Sequence, residues 1–345
     1  MARFLLASAW FADLAVAHAE ALVKHGHSVQ VIVGRAPSIT ISSVPIYVGP
    51  ARIKDLRNAG FARKLATLRS TIFDTVVVDE TWDPRYSHAL IDLADTAVVA
   101  VHDAVPHDET HRYTGWKELS RRSLRKRASL LACFSESVAL QLRGTGKPLM
   151  RLPLTSDYLG AVPDPATDRR DFVCFGRARP YKNVRTVLEA WSVHVGSEGY
   201  KGDRLIVTGT PTDHGVSGAQ WANVVWISAD QPYSSLLPVL RRAKANVSLY
   251  TSASQSGVQV LAAQHSVCSI VSNVGGLPEY QAPGAPIVNL ANSGGLVDAF
   301  NRLSDVDVAV RLGAEARLRY QNEWSASEVA RRLLDELSGR RSDLG

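Results

Sequence analysis

Residues 250–279 set out small polar residues, glycines and a helix start in an order suited to holding an anion. An apolar run ends at Leu249 and Tyr250. Ser252, Ser254, Gln255, Ser256 and Gly257 then supply small side chains and backbone N–H groups, and Val258 opens a helical segment reaching residue 265. Aligned N–H groups and the helix dipole favour negative charge there. After the β-branched run 268–272 come Gly275, Gly276, Pro278 and Glu279: glycines free to take positive φ and a proline suited to a first helical turn. Upstream, Gly176, Arg177 and Lys182 stand between the apolar run 172–175 and the helical segment 184–194. Two cations at a strand's C-end can neutralise a diphosphate, the arginine in bidentate fashion. In the first half, the run 97–101 delivers His102 and Asp103, and the run 75–78 delivers Asp79 and Glu80. A histidine beside a carboxylate can orient a hydroxyl or accept a proton. The same residue types also make an ordinary turn.

These groups need a scaffold of strands that end in turns. Residues 4–7, 29–33, 47–48, 75–78, 97–101 and 131–134 read as strands, with helices at 11–24, 61–70, 116–130 and from Ser135 onward. The opening is βαβ, but its first turn, Ser8-Ala9-Trp10, lacks a glycine-rich dinucleotide fingerprint. Pro148, Pro153, Pro163 and Pro165 mark a linker, after which strands at 172–175, 205–207, 224–227, 246–249 and 268–272 alternate with helices. The pattern predicts an α/β chain of two Rossmann-like domains, with parallel sheets facing across a cleft. The boundaries are 1–150, a hinge at 151–169, a second domain at 170–322 and a C-terminal helix within 323–345. That helix, 325–337, is amphipathic through Val329, Leu333, Leu334 and Leu337.

Composition narrows the partners. At 345 residues, 46% apolar and 21% charged, the chain is of soluble globular type and long enough for two cores. A net charge of +6 favours anionic partners such as nucleotide, phosphate or acidic lipid. Cys133, Cys174 and Cys268 are expected to be reduced core thiols of an intracellular protein. Asp13, His18 and Glu20 interrupt the N-terminal apolar run, which reads as neither signal peptide nor spanning helix. Lys117, Arg121, Arg122, Arg125, Lys126 and Arg127 lie on one helix among Trp116, Leu119 and Leu124; such a helix can lie on an anionic membrane face or simply face solvent. No aromatic-interleaved basic surface suggests nucleic acid. Asp305-Val306-Asp307 reads as a helix start.

Taken together, these residues resemble the GT-B glycosyltransferases, and among them the retaining family 4. The resemblance is strongest over residues 172–290. Gly176-Arg177 with Lys182 is similar to the family's donor-phosphate motif. Ser254-Gln255-Ser256-Gly257-Val258 resembles a subgroup's pentapeptide at the nucleotide-sugar turn, and Gly275-Gly276 with Glu279 the family's Gly-Gly…Glu turn. His102 resembles the family's cleft histidine. The resemblance implies a nucleoside-diphosphate sugar as donor, retention at the anomeric carbon, no essential metal and no further cofactor. It assigns His102, Arg177 and Lys182 to catalysis, and Gly176, Gln255, Ser256, Gly257, Val258, Gly275, Gly276 and Glu279 to the donor. Trp10, Glu80 and Asp103 are candidates for the acceptor side, and the C-terminal helix is expected to return to the first domain. Two glutamates common in the family are absent here: their positions hold Ser254 and Ala262, or Ala253 and Leu261 in an alignment shifted by one.

The sequence therefore predicts a transferase that moves a sugar to a saccharide or lipid-linked saccharide, in the cytoplasm or peripherally on the inner membrane face. A catalytically silent homologue that binds a nucleotide or a partner enzyme is the competing class. A transferase acting on natural-product aglycones, or a phosphorylase or synthase on the same fold, also fits.

Overall fold

A computed structural model describes residues 1–39, 41–50, 57–80, 84–105, 115–176, 179–209, 221–227, 231–292 and 294–342. The chain forms two compact units. The N-terminal unit takes residues 1–106, 110–160 and 323–345; the C-terminal unit takes 107–109 and 161–322.

The N-terminal unit is built on β1 (Arg3–Ser8), β2 (Ser28–Val33), β3 (Ile46–Val48), β4 (Phe73–Asp79), β5 (Ala94–Val101), β6 (Leu130–Cys133) and β7 (Leu149–Arg151). All pair in parallel, in the order β3-β2-β1-β4-β5-β6-β7. Their near-continuous Val, Leu, Ile and Ala runs suit strands covered on both faces. One face packs on Phe61 of α2 (Asn58–Leu68), Leu90 of α3 (Pro84–Ile91) and Leu124 of α4 (Trp116–Arg127). The other packs on Ala15, Ala19 and Leu22 of α1 (Ala12–Lys24). The last helix of the chain, Ala326–Ser342, lies on that same face through Val329, Ala330, Leu333 and Leu337. Chain order reverses between β1 and β4, the position at which open α/β sheets hold ligands.

The C-terminal unit carries β8 (Phe172–Cys174), β9 (Leu205–Thr208), β10 (Val224–Ile227), β11 (Ala245–Ser248), β12 (Ser269–Ser272) and β13 (Ile287–Val288), parallel and in the order β10-β9-β8-β11-β12-β13. Its reversal lies between β8 and β11. α5 (Glu136–Leu142) belongs to the N-terminal unit; α6 (Val184–Val195), α7 (Tyr233–Arg242), α8 (Gly257–Gln264), α9 (Gly294–Leu303) and α10 (Val306–Arg319) to this one, and the closing helix is α11. Asp305 caps α10, accepting from Asp307 N and Val308 N, so the Asp-x-Asp pair is a helix start. Cys133, Cys174 and Cys268 are buried thiols.

Two expectations change. The sequence places the hinge at 151–169, but β7 ends at Arg151, Leu152, Leu154, Thr155 and Ser156 beyond it are buried, and the N-terminal unit continues to Gly160. Three residues between two prolines carry too little periodicity to show a strand. The basic stretch on α4 is also not a free charged face. Arg121 and Arg125 turn inward onto Glu80, while Arg122 pairs with Glu118 and Arg127 with Asp92. Among the described residues no helix is long and apolar enough to cross a membrane.

Candidate functional site

Each unit gathers polar groups at its topological reversal. In the C-terminal unit, β8 runs out through Phe175 into Gly176, whose φ of +87° favours glycine. Its N–H donates to Thr208 Oγ1 at 3.1 Å, fixing the turn to the end of β9. A 3-10 turn, Pro180–Lys182, brings Lys182 back beneath that glycine. The ammonium donates to Phe175 O at 2.9 Å and lies 5.4 Å from the Tyr250 ring centroid. Burial opposes the charge on Lys182, but the Tyr250 and Tyr181 hydroxyls outweigh it and hold its pKa above the ordinary lysine value. Lys182 therefore stays cationic in a nearly enclosed position. Arg177, between these two residues, lies outside the described residues, as does the side chain of Lys117.

The neighbouring turn is tied to this one. Thr251 N donates to Tyr181 O at 2.7 Å, and Tyr181 meets Tyr250 edge-on at 5.6 Å. Ser256 caps α8, its hydroxyl accepting from Gln259 N. Helix geometry leaves the N–H groups of Gly257 and Val258 without intrahelical acceptors. Gly257 is exposed, and among the described residues a Cβ built on it meets nothing within 4 Å. Gln255 and Val258 flank it, both half-buried. Gln259, buried in the same first turn, donates to Leu277 O at 3.1 Å and Tyr280 O at 2.9 Å. It thus clamps α8 to the 3-10 turn Leu277–Tyr280, which carries Glu279.

Gly275 and Gly276 complete the arrangement. Gly276 N donates to Ala253 O at 3.3 Å, and a Cβ on Gly275 would lie 1.7 Å from that same carbonyl oxygen. Backbone cannot yield that distance, and the φ of +54° adds strain for any side chain. Gly275→Ala is expected to destabilise this unit by about 2–3 kcal/mol, read as a lower urea midpoint. Ser254, Ala262, Ala253 and Leu261, the positions without the expected glutamates, are all buried.

The N-terminal unit places a second group at its reversal. Parallel register sets Ala7 beside Val78 and Asp79 beside Ala100, so Ser8, Asp79 and His102 emerge together. Ser8 Oγ donates to Asp79 Oδ2 at 3.0 Å and accepts from Phe11 N at 3.1 Å. His102 Nε2 is 3.5 Å from the same Oδ2. The imidazole is stacked between Phe11, at 4.2 Å, and Phe134, at 4.7 Å. Burial disfavours the imidazolium. Asp79 outweighs that penalty, helped by Asp103 and Glu80, and His102 is raised above its ordinary pKa. His18, from α1, is driven the other way: burial, and then the charge of His102, lower it to about 4. These residues line a pocket of about 50 Å³.

Two sequence expectations are corrected here. The carboxylate that faces His102 is Asp79, across the sheet, rather than only the adjacent Asp103; Asp103 instead offers its backbone carbonyl to Arg121 at 2.8 Å. Glu80, a candidate for the acceptor side, is committed to α4. Its side chain is fully buried, and both oxygens are taken by Arg121 and Arg125, the latter at 2.7 and 2.9 Å. Trp10 is partly exposed in the turn after β1, next to Phe11. The reading missed Ser8, Phe11, Phe134, Thr208 and Gln259. The signal for Ser8 and Asp79 was present: each is the polar residue that ends an apolar strand.

No family model and no curated protein sequence matches the chain. Solved structures do. Sucrose-phosphate synthase from Thermosynechococcus elongatus is similar with a TM-score of 0.72, at 14% identity and over 100% of both chains. Anabaena HepE in complex with UDP and glucose is similar with a TM-score of 0.70, at 12% identity, over 98% of this chain and 100% of that one. WaaG, a glycosyltransferase involved in lipopolysaccharide biosynthesis, follows with a TM-score of 0.66, at 14% identity, over 98% and 100%. The two Rossmann-like parallel-sheet domains thus form a GT-B-type fold.

Proposed function

We propose that this chain is a retaining glycosyltransferase that moves a sugar from a nucleoside-diphosphate sugar to a saccharide or lipid-linked saccharide. The observation that carries the reading is the linked set of turns at the ends of β8, β11 and β12, with Lys182, the open N-terminus of α8 at Gly257 and the Gly275-Gly276 turn. A diphosphate leaving group suits that set. N–H groups already aligned, and a cation already desolvated, stabilise developing charge without reorganising. HepE, of like fold, holds UDP and glucose, which makes a uridine nucleotide the first donor to try. Arg177 is assigned to the same phosphates and Gln255, Ser256, Val258 and Glu279 to the donor. His102, in the N-terminal unit, is assigned to positioning a substrate hydroxyl, and Trp10 and Asp103 remain candidates for the acceptor side.

Docking of α4 on anionic lipid stays part of the proposal through exposed Leu119 and Lys126 among the described residues, since Arg121, Arg122, Arg125 and Arg127 are paired with carboxylates. The second reading, a silent nucleotide-binding homologue, rests on the buried Ser254 and Ala262 where glutamates are expected. Incubation with nucleotide sugars and saccharide acceptors in the presence of a chelator separates the two. Product with the donor's anomeric configuration, read by proton NMR, is expected. An inverted product refutes the retaining mechanism. Nucleotide binding without any product favours the silent homologue.

A further inference from the structure

Asp79 contacts both the histidine and the hydroxyl beside it. Its Oδ2 accepts from Ser8 Oγ at 3.0 Å and lies 3.5 Å from His102 Nε2. Ser8 is itself held by Phe11 N at 3.1 Å. The chain Phe11 N, Ser8, Asp79, His102 therefore runs from the β1–α1 turn across the reversal of the sheet to the end of β5. Phe11 and Phe134 close on the two faces of the imidazole, so the ring has little freedom to rotate or flip. Asp79 and His102 are both buried. A buried carboxylate facing a buried imidazole is a costly arrangement unless the two share charge. The pair also lines a pocket with Ser8, Phe11 and His18, rather than lying in solid core.

We propose that Asp79, braced by Ser8, is the positioning residue that orients the His102 imidazole and supplies its counter-charge. This rests on the transferase reading for its kinetic consequence, and on the geometry alone for its effect on the histidine. The charged and titratable groups facing His102 are Asp79 and Glu80 at the end of β4, Asp103 beside it and His18 on α1; Arg121 on α4 offsets Glu80. The carboxylates favour imidazolium and His18 is neutral. The raised pKa widens the pH range over which the ring carries its proton and can donate to a substrate hydroxyl. Activity that needs the protonated ring is retained at low pH and falls as pH rises through the His102 pKa.

Asp79→Asn keeps the shape and removes the charge. Burial then acts unopposed by its largest counterweight, and the His102 pKa drops. An opposite charge at this range is worth roughly 1–3 pH units, so a fall of at least about one unit is expected in the NMR titration of ¹³C-labelled histidine, assigned with His102→Gln. Ser8→Ala, which loosens the carboxylate without removing it, should give a smaller fall. In kinetics, the basic limb of kcat should move to lower pH by the same amount in Asp79→Asn, with the donor KM unchanged. A His102 pKa that is the same in wild type, Asp79→Asn and Ser8→Ala overturns the proposal. A shifted histidine in a protein that turns over no nucleotide sugar leaves the positioning role standing and sinks the transferase reading instead.

Discussion

Glu80→Ala should lower the stability of the N-terminal unit by about 3–5 kcal/mol, the cost of leaving buried charge unpaired. The Glu80 carboxylate has no exposed surface, and Arg121 and Arg125 on α4 both close on it, 6% and 11% exposed. Arg121 also donates to Asp103 O, so the cluster joins the ends of β4 and β5 to α4. Attraction within the cluster offsets the desolvation of all three groups only while all three are present. Removing Glu80 leaves two largely buried guanidinium groups, with the half-exposed Glu118, 3.7 Å from Arg121, as the remaining carboxylate partner among the described residues. The control is Glu136→Ala. Glu136 pairs with Arg143 and Arg151, but every partner there is 43% exposed or more. Solvent screens such pairs, and the expected change is under about 1 kcal/mol. Thermal and urea unfolding of the two variants side by side checks the contrast. Equal effects would mean that the Glu80 cluster is solvated in solution.

Gly257→Val separates binding from folding in the other unit. Among the described residues, a Cβ on Gly257 meets no atom within 4 Å beyond its own helix turn and chain neighbours, and its φ is not in the left-handed region. The residue opens α8, where a β-branched side chain is tolerated. Stability should change by less than about 1 kcal/mol. Affinity for the nucleotide should nonetheless fall about 30-fold or more, equivalent to about 2 kcal/mol, because the new side chain fills the space from which a phosphate reaches the first-turn N–H groups. Calorimetric titration of the variant against wild type reads this directly. Gly275→Ala does the opposite: its Cβ strikes Ala253 O, so it lowers stability and binding together. The two glycines look alike in the sequence and differ in backbone conformation and in what surrounds them.

That difference shows how far the sequence could be read. The strands were legible because parallel strands buried on both faces are continuous apolar runs, as in Val76-Val77-Val78 and Ala97-Val98-Val99. The helix starts at Ser135, Ser256 and Asp305 were legible because side-chain caps are local chemistry. Gly176, Lys182 and Gly257 stood out in the sequence because each follows a strand and precedes a helix or turn. The partner of His102 was not found. Asp103 is its neighbour in the chain, but Asp79 is its neighbour across β4 and β5, and that pairing depends on a parallel register no local pattern encodes. The pairing of Glu80 was hidden for the same reason. A strand-end carboxylate invites a functional reading until α4 brings two arginines onto it. The basic run on α4 lost two of its charges to that contact, because a helix face seen in sequence does not say which side turns inward.

The most direct test of the central claim is thermal stabilisation by UDP, GDP and ADP, measured for wild type and Gly257→Val. A ligand that binds only the folded state raises the midpoint by mass action. One nucleotide is predicted to raise the wild-type midpoint by several degrees at saturating concentration, with little or no shift in Gly257→Val at the same concentration. No shift with any of the three at millimolar concentration, or an equal shift in both proteins, contradicts a nucleoside diphosphate at the α8 N-terminus.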